Sequence, residues 1–223
     1  MLTTVSEYID HRLKGRTSST PFLVAIDGID CAGKTTFSSS LAGSLAARRH
    51  HVVRASIDGF HNPREIRIQQ GKLSPQGFYR DSFDYDYLIE QVLKPIKELT
   101  QPNSVPLAKF DWRSDQEVSS GSVEVSPDST IIFEGVFLFR PELISFWDFK
   151  IFLHIPFEVS LERGLQRDAE QLGGVEKTRE KYMKRYIPGQ KIYLREAEPM
   201  RHADLIFDNS EPQNPVQIEK VNV

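Results

Sequence analysis

The chain has 223 residues, with 28 Lys and Arg against 31 Asp and Glu, 39% hydrophobic residues and one cysteine, Cys31. A formal charge of −3 leaves no footprint for nucleic acid or an anionic membrane, and a lone thiol excludes an internal disulfide. No apolar run reaches the roughly 20 residues that span a bilayer and no signal-peptide pattern is present, so a single cytoplasmic domain is expected, without membrane or nucleic-acid partner.

In chain order, residues 4–14 predict a helix, and "PFLVAID" (21–27) predicts a buried strand. Residues 34–49 predict a second helix, with Leu41 and Leu45 four apart, and "HVVRASID" (51–58) a second strand. Residues 62–83 are polar and rich in Pro, Gly and Arg, which predicts a loop with short helices over a site. A helix follows over 85–99. Within 104–125, "SVPLAKF" and "SVEV" predict two antiparallel strands, either a flap or an interface. Strands are predicted at 130–139, 148–155 and 203–209, helices at 157–170 and 177–185, and a loose tail at 210–223. Strands alternating with helices predict an α/β fold: a mostly parallel five-stranded sheet, helices on both faces, and a small antiparallel flap.

The most informative stretch is "GIDCAGKTT" (28–36), which satisfies the phosphate-loop pattern Gly28-x4-Gly33-Lys34-Thr35 between a strand and a helix. Backbone N–H groups of Gly28, Ile29, Asp30, Cys31, Ala32 and Gly33 are expected to turn toward phosphate oxygens at a helix N-terminus. Lys34 would reach the β- and γ-phosphates, Thr35 would ligate Mg²⁺, and Thr36 would add a phosphate contact. ATP and Mg²⁺ are the expected cofactors. Cys31 reads as a small side chain at a permissive position, without a catalytic role.

Two carboxylates are placed to face that loop. Asp58, in "IDGFH", ends the second strand, where open α/β sheets gather ligands; it would orient an acceptor hydroxyl as a base, or else cap a loop. Glu134, in "IIFEGVF", ends an apolar strand, where a charge needs a cation or hydrogen bonds; Mg²⁺ and a structural ion pair are the two readings.

The ordered set "GIDCAGKT", "IDGFH", "DSFDYDYL", "VPLAKFD", "IIFEGVF", "SLERGLQRD" and "ADLIF" resembles the uridine kinase family, over residues 22–209. That family is grouped with phosphoribulokinase and the bacterial type of pantothenate kinase. The resemblance implies a three-layer P-loop NTPase fold in one kinase domain, residues 1–223, with a helical lid near 157–190. It implies ATP-dependent phosphoryl transfer to a small-molecule acceptor, a nucleoside such as uridine or cytidine. Carried over residue by residue, it makes Asp58 the catalytic base and Glu134 a magnesium-site residue. Asp84 falls where the family holds ribose hydroxyls, and N-capping the next helix is the alternative. Phe110 falls where a Tyr packs on the base, and packing within the flap is the alternative. Arg163 and Arg167, four apart on one helix face, match lid arginines that meet the nucleotide, with Arg167 neutralising charge on the transferring group, and a solvated helix face is the alternative.

The departures concern the acceptor. Asp115 stands where the family has a histidine, Gly164 replaces the second of two paired lid arginines, and Gln171 to Gly174 replace further arginines. Basic residues over 177–185 either substitute for them or form a charged face. "DGFHNPREIRIQQGKLSPQGFYRDSFD", with its DGF opening and a Gly- and Pro-containing linker before SFD, resembles the pantothenate kinase side of the group in outline. In that case His61, Arg64 and Arg67 would meet an acidic acceptor; a loop hydrogen bond is the alternative for His61. A P-loop switch or motor is the competing class; a GTPase would carry an NKxD motif, which this sequence lacks. Homo-oligomerisation is left open.

Overall fold

The computed structural model describes residues 2–16, 19–118 and 121–219. The chain enters the sheet with β1 (Phe22–Gly28) and β2 (Val52–Ser56), then leaves it for two short antiparallel ribbons. In these, β3 (Asn103–Pro106) pairs with β6 (Ser122–Val125), and β4 (Phe110–Asp111) with β5 (Gln116–Glu117). It returns through β7 (Thr130–Gly135), β8 (Phe149–His154), β9 (Leu205–Asp208) and β10 (Val216–Glu219).

The order across the sheet is β10-β9-β8-β1-β7-β2. The five anticipated strands run parallel, and β10 lies antiparallel to β9 at one edge. The tail anticipated as loose thus supplies a sixth strand, with residues 220–223 outside the described set. Alternating strand residues feed two cores, because successive side chains point to opposite faces. Leu23, Ala25, Ile131 and Phe133 join Leu88, Val92 and Ile96 on one face. Val24, Ile26, Ile132 and Leu153 join Val5, Ile9, Phe37, Leu41 and Leu45 on the other. Helices therefore cover both faces, which is the expected three-layer α/β architecture.

Two helical stretches depart from their expected form. Residues 85–97 form one stretch whose middle, Leu88–Leu93, is wound to the wider π-type turn, and Tyr182–Tyr186 is wound the same way. Each wide turn leads into a proline, Pro95 and Pro188, which has no N–H for the ordinary bond four residues back. The second turn is where the sequence predicts a stop at 185. Instead the chain passes Pro188 without a break and continues as Ile187–Glu196. That helix carries Gln190 and Tyr193 to the site.

Candidate active site

The carboxyl ends of β1, β7 and β2 lie side by side and present the phosphate loop, Glu134 and the turn after Ser56 to one crevice. The phosphate loop is held from four directions. Its left-handed residues Cys31 (φ 60°) and Gly33 (φ 86°) fold it back on itself. At Gly33 a Cβ would lie 2.5 Å from Nδ2 of Asn209, so only glycine fits. Asn209, just after β9, donates to the Ala32 carbonyl at 2.6 Å, and Ser160 donates to that of Asp30 at 2.8 Å. Arg163 donates to the carbonyls of Cys31 (3.1 Å), Asn209 (3.1 Å) and Ser210 (2.7 Å). The Asp30 N–H donates to Gln190 Oε1.

The loop frames a cleft of about 360 Å³ lined by Lys34, Thr35, Thr36, Asp58, Glu134 and Arg167, among others. Lys34 is buried and donates to the Ile29 carbonyl at 2.8 Å. Thr35 Oγ1 donates to Glu134 Oε1 at 3.3 Å. Burial raises the Glu134 carboxyl above its usual range, and neighbouring Lys34 opposes that rise. A hydroxyl and a carboxylate side by side are hard oxygen donors suited to Mg²⁺, which takes one or two protein oxygens and fills its shell with phosphate and water. Among the described residues no group of three or more His, Cys, Asp or Glu is arranged for a metal, and Mg²⁺ bound in this way needs none.

A second cleft, about 810 Å³, adjoins the first, and Asp30, Thr35, Asp58, Val136 and Arg167 line both. Asp58 sits in the tight turn Ile57–Phe60, its N–H donating to Ser56 Oγ at 3.3 Å, with the side chain exposed. His61 also lines the second cleft, tilted against Phe83 at 4.4 Å between ring centroids, and burial lowers its pKa. Trp112, Arg113 and Asp115, from the loop between β4 and β5, form part of the wall, so this ribbon borders the cleft.

Arg167 extends from the lid helix Phe157–Leu172 into both clefts and pairs with Asp168 through Nε at 2.6 Å. That pairing raises its pKa further. Arg163 lines only the first cleft, and its terminal nitrogens are taken by the three carbonyls above.

Two expected acceptor residues stand elsewhere. Asp84 caps the following helix, accepting from the Tyr87 N–H at 2.9 Å, and pairs with Lys109 at 2.6 Å. Phe110 is buried in the flap. Neither lines either cleft. Gly164, by contrast, has a clear use: a Cβ there would meet Cζ of Tyr182 at 2.2 Å. The missing side chain admits Tyr182, whose hydroxyl donates to Asp168 at 2.7 Å and lies 3.3 Å from Cys31 Sγ.

Sequence reasoning missed Asp27, fully buried at the end of β1. Its carboxylate accepts from the N–H groups of Gly28 (2.6 Å) and Phe139 (3.2 Å) and from the Tyr193 hydroxyl. Burial outweighs these bonds and pushes its pKa from 3.8 to about 6. The signal was present, a charge closing an apolar run, as at Glu134. Gln190 and Tyr193 were missed because the predicted helix ends at 185, before Pro188, and Tyr182, inside that helix, was missed because no local pattern records that it packs against Gly164.

Residues 23–216 match the Phosphoribulokinase / Uridine kinase family. The chain belongs to that family. Uridine kinase-like protein 5 of Arabidopsis thaliana is 27% identical over 189 residues, 84% of this chain and 39% of the relative. The chain thus spans about two fifths of that plant relative's length. Uridine kinase of Ligilactobacillus salivarius is 25% identical, over 83% of this chain and 84% of the relative. Among solved structures, D-glycerate 3-kinase of Cryptococcus neoformans superposes with a TM-score of 0.66 at 16% identity, over 98% of this chain and 99% of that one. At that identity the likeness concerns the fold. The phosphate loop and the Glu134 strand both fall within the residues that match the family.

Proposed function

We propose that this kinase-family protein transfers the γ-phosphoryl group of Mg²⁺–ATP to a hydroxyl of a small metabolite. The observation that carries the reading is the meeting of two clefts at Asp58, one built on the phosphate loop and the other open to an acceptor. In this reading the loop N–H groups and Lys34 hold the triphosphate, and Thr35 and Glu134 hold Mg²⁺, which supplies charge neutralisation at the phosphates. Asp58 accepts the acceptor hydroxyl's proton as its oxygen attacks the γ-phosphorus and the bond to the ADP oxygen breaks. Arg167, reaching both clefts, balances the charge on the phosphoryl group in transit. The lid excludes water, which would otherwise take the phosphoryl group.

Relatives named uridine kinase make uridine and cytidine the first acceptors to try. The absence of Asp84 and Phe110 from the cleft walls weighs against a nucleoside pocket formed by those two side chains. The test is ADP formation from Mg²⁺–ATP with and without acceptors. A kinase consumes ATP slowly alone and faster with its substrate, whereas acceptor-indifferent hydrolysis would favour the switch reading. Asp58→Asn is expected to abolish acceptor-dependent turnover while ATP still binds; normal turnover in that variant would remove Asp58 from the role of base.

A further inference from the structure

The second cleft is far more basic than the chain as a whole. Its lining holds seven Arg or Lys and four Asp, in a protein of net charge −3. Two of the acids, Asp30 and Asp58, sit at the junction with the phosphate-loop cleft, and Asp168 is engaged by Arg167. Arg64, Arg67, Lys181 and Arg185 line the second cleft but not the first, so they stand apart from the cations of the triphosphate site.

These four are weakly neutralised. Arg67 pairs with Asp115 at 2.8 Å, yet its Nε is buried without a hydrogen-bond partner. Arg185 is buried and donates only to the backbone carbonyls of Gly71 (3.3 Å), Ser74 (3.1 Å) and Arg67 (2.8 Å). Arg64, Lys181 and Arg185 form no ion pair among the described residues. Burial lowers the Lys181 pKa, and Arg185, Arg67 and Arg64 lower it further. Asp115 receives the Arg64 N–H at 2.9 Å as well as Arg67 Nη2, so the residue found where the resemblance has a histidine anchors this cluster. Gathering like charges in a partly buried wall is costly unless an anion offsets them.

We propose that the acceptor carries an anionic group, a phosphate monoester or a carboxylate, beside the hydroxyl that is phosphorylated, and that Arg64, Arg67, Lys181 and Arg185 bind it. The inference rests on the kinase reading above and names its substrate class. The anion sits in the wall formed by residues 64–72 and 181–185, and the hydroxyl points to Asp58. Such a wall selects against neutral acceptors, because filling it with an uncharged group would leave the cations unpaired.

The experiment measures ADP formation with three acceptor sets: neutral (uridine, cytidine, D-ribose), carboxylate (D-glycerate, pantothenate) and phosphate (D-ribose 5-phosphate, D-fructose 6-phosphate). Acceleration confined to the anionic sets is expected, and which of the two responds identifies the anion. With the responding acceptor, exposed Arg64→Ala is expected to raise its KM about 10- to 100-fold and leave the KM for ATP unchanged, with Lys181→Ala doing the same and Lys181→Arg restoring it. Acceleration by a neutral acceptor equal to that by anionic ones overturns the inference and leaves the kinase reading standing. If no acceptor accelerates turnover, the kinase reading loses its support, and binding decides the anion site separately. With the first cleft filled by a non-hydrolysable Mg²⁺–ATP analogue, inorganic phosphate should raise the Tm of the wild type at constant ionic strength but not that of R64A/K181A. No shift, or an equal shift in both, refutes the site.

Discussion

Replacing Gly164 with alanine places a Cβ 2.2 Å from Cζ, 2.4 Å from the hydroxyl oxygen and 2.6 Å from Cε1 of Tyr182. At these distances the ring or the helix must shift. Forcing a methyl group into a filled site costs about 1–3 kcal/mol. Displacing the ring also breaks the 2.7 Å bond to the Asp168 carboxylate, which is 15% exposed, a loss of about 1.5–3 kcal/mol. Alanine returns about 1 kcal/mol through its better helix propensity. The expected net loss is about 1.5–5 kcal/mol, which for a domain of this size is on the order of a 10 °C fall in Tm. Denaturant and thermal unfolding of Gly164→Ala measure it. In a Tyr182→Ala background the same substitution should be neutral or mildly stabilising, since the obstacle is gone. A Gly164→Ala protein as stable as the wild type would show that Tyr182 does not pack where the reasoning places it.

Lys34→Ala is expected to lower kcat about 10²- to 10³-fold with an unchanged unfolding transition, read by single-turnover assay and circular dichroism. Asp84→Ala should cost about 1 kcal/mol through the lost helix cap and leave the acceptor KM unchanged; a raised acceptor KM would return Asp84 to the binding site. Asp27 predicts a pH dependence. Its folded pKa of about 6 lies above the ordinary 3.8, so between those values the native state holds a proton that the unfolded chain has lost. The contribution is fully present below about pH 4 and is lost as pH rises through about 6, amounting to about 3 kcal/mol. The stability of the wild type relative to Asp27→Asn should therefore fall across that window, and a flat difference would contradict the assignment.

Much of the candidate site was legible because local rules suffice for it. The phosphate loop needs only consecutive residues: a strand to deliver it, glycine where φ is positive, Lys34 and Thr35 at the start of a helix. Glu134 was legible for a related reason, since a charge closing an apolar strand stands at the sheet's carboxyl edge, and Asp58 was legible because it follows the second parallel strand, in the turn just past Ser56. Asp84 shows the limit, since its position in the motif admitted both a cap and a ligand contact, and only the folded chain shows that it caps the Tyr87 N–H, pairs with Lys109 and lines neither cleft. The run past Pro188 was hidden because a proline reads as a stop unless a wider turn precedes it.

By itself, then, the sequence determined the parallel α/β framework, the phosphate loop and the two carboxylates, because strand alternation, glycine conformation and helix periodicity act over a few residues. Tertiary structure alone decided the wall of the second cleft. Residues 64–72, the flap loop 112–115 and the helix at 181–185 are separated by tens of residues, and no local pattern records that they meet. Only folding shows that Gly164 makes room for Tyr182, that Asp115 holds Arg64 and Arg67, and that the basic residues after 177 include side chains turned into a cleft. Charge gathered from distant segments is a property of packing, and here it is what makes the second cleft basic.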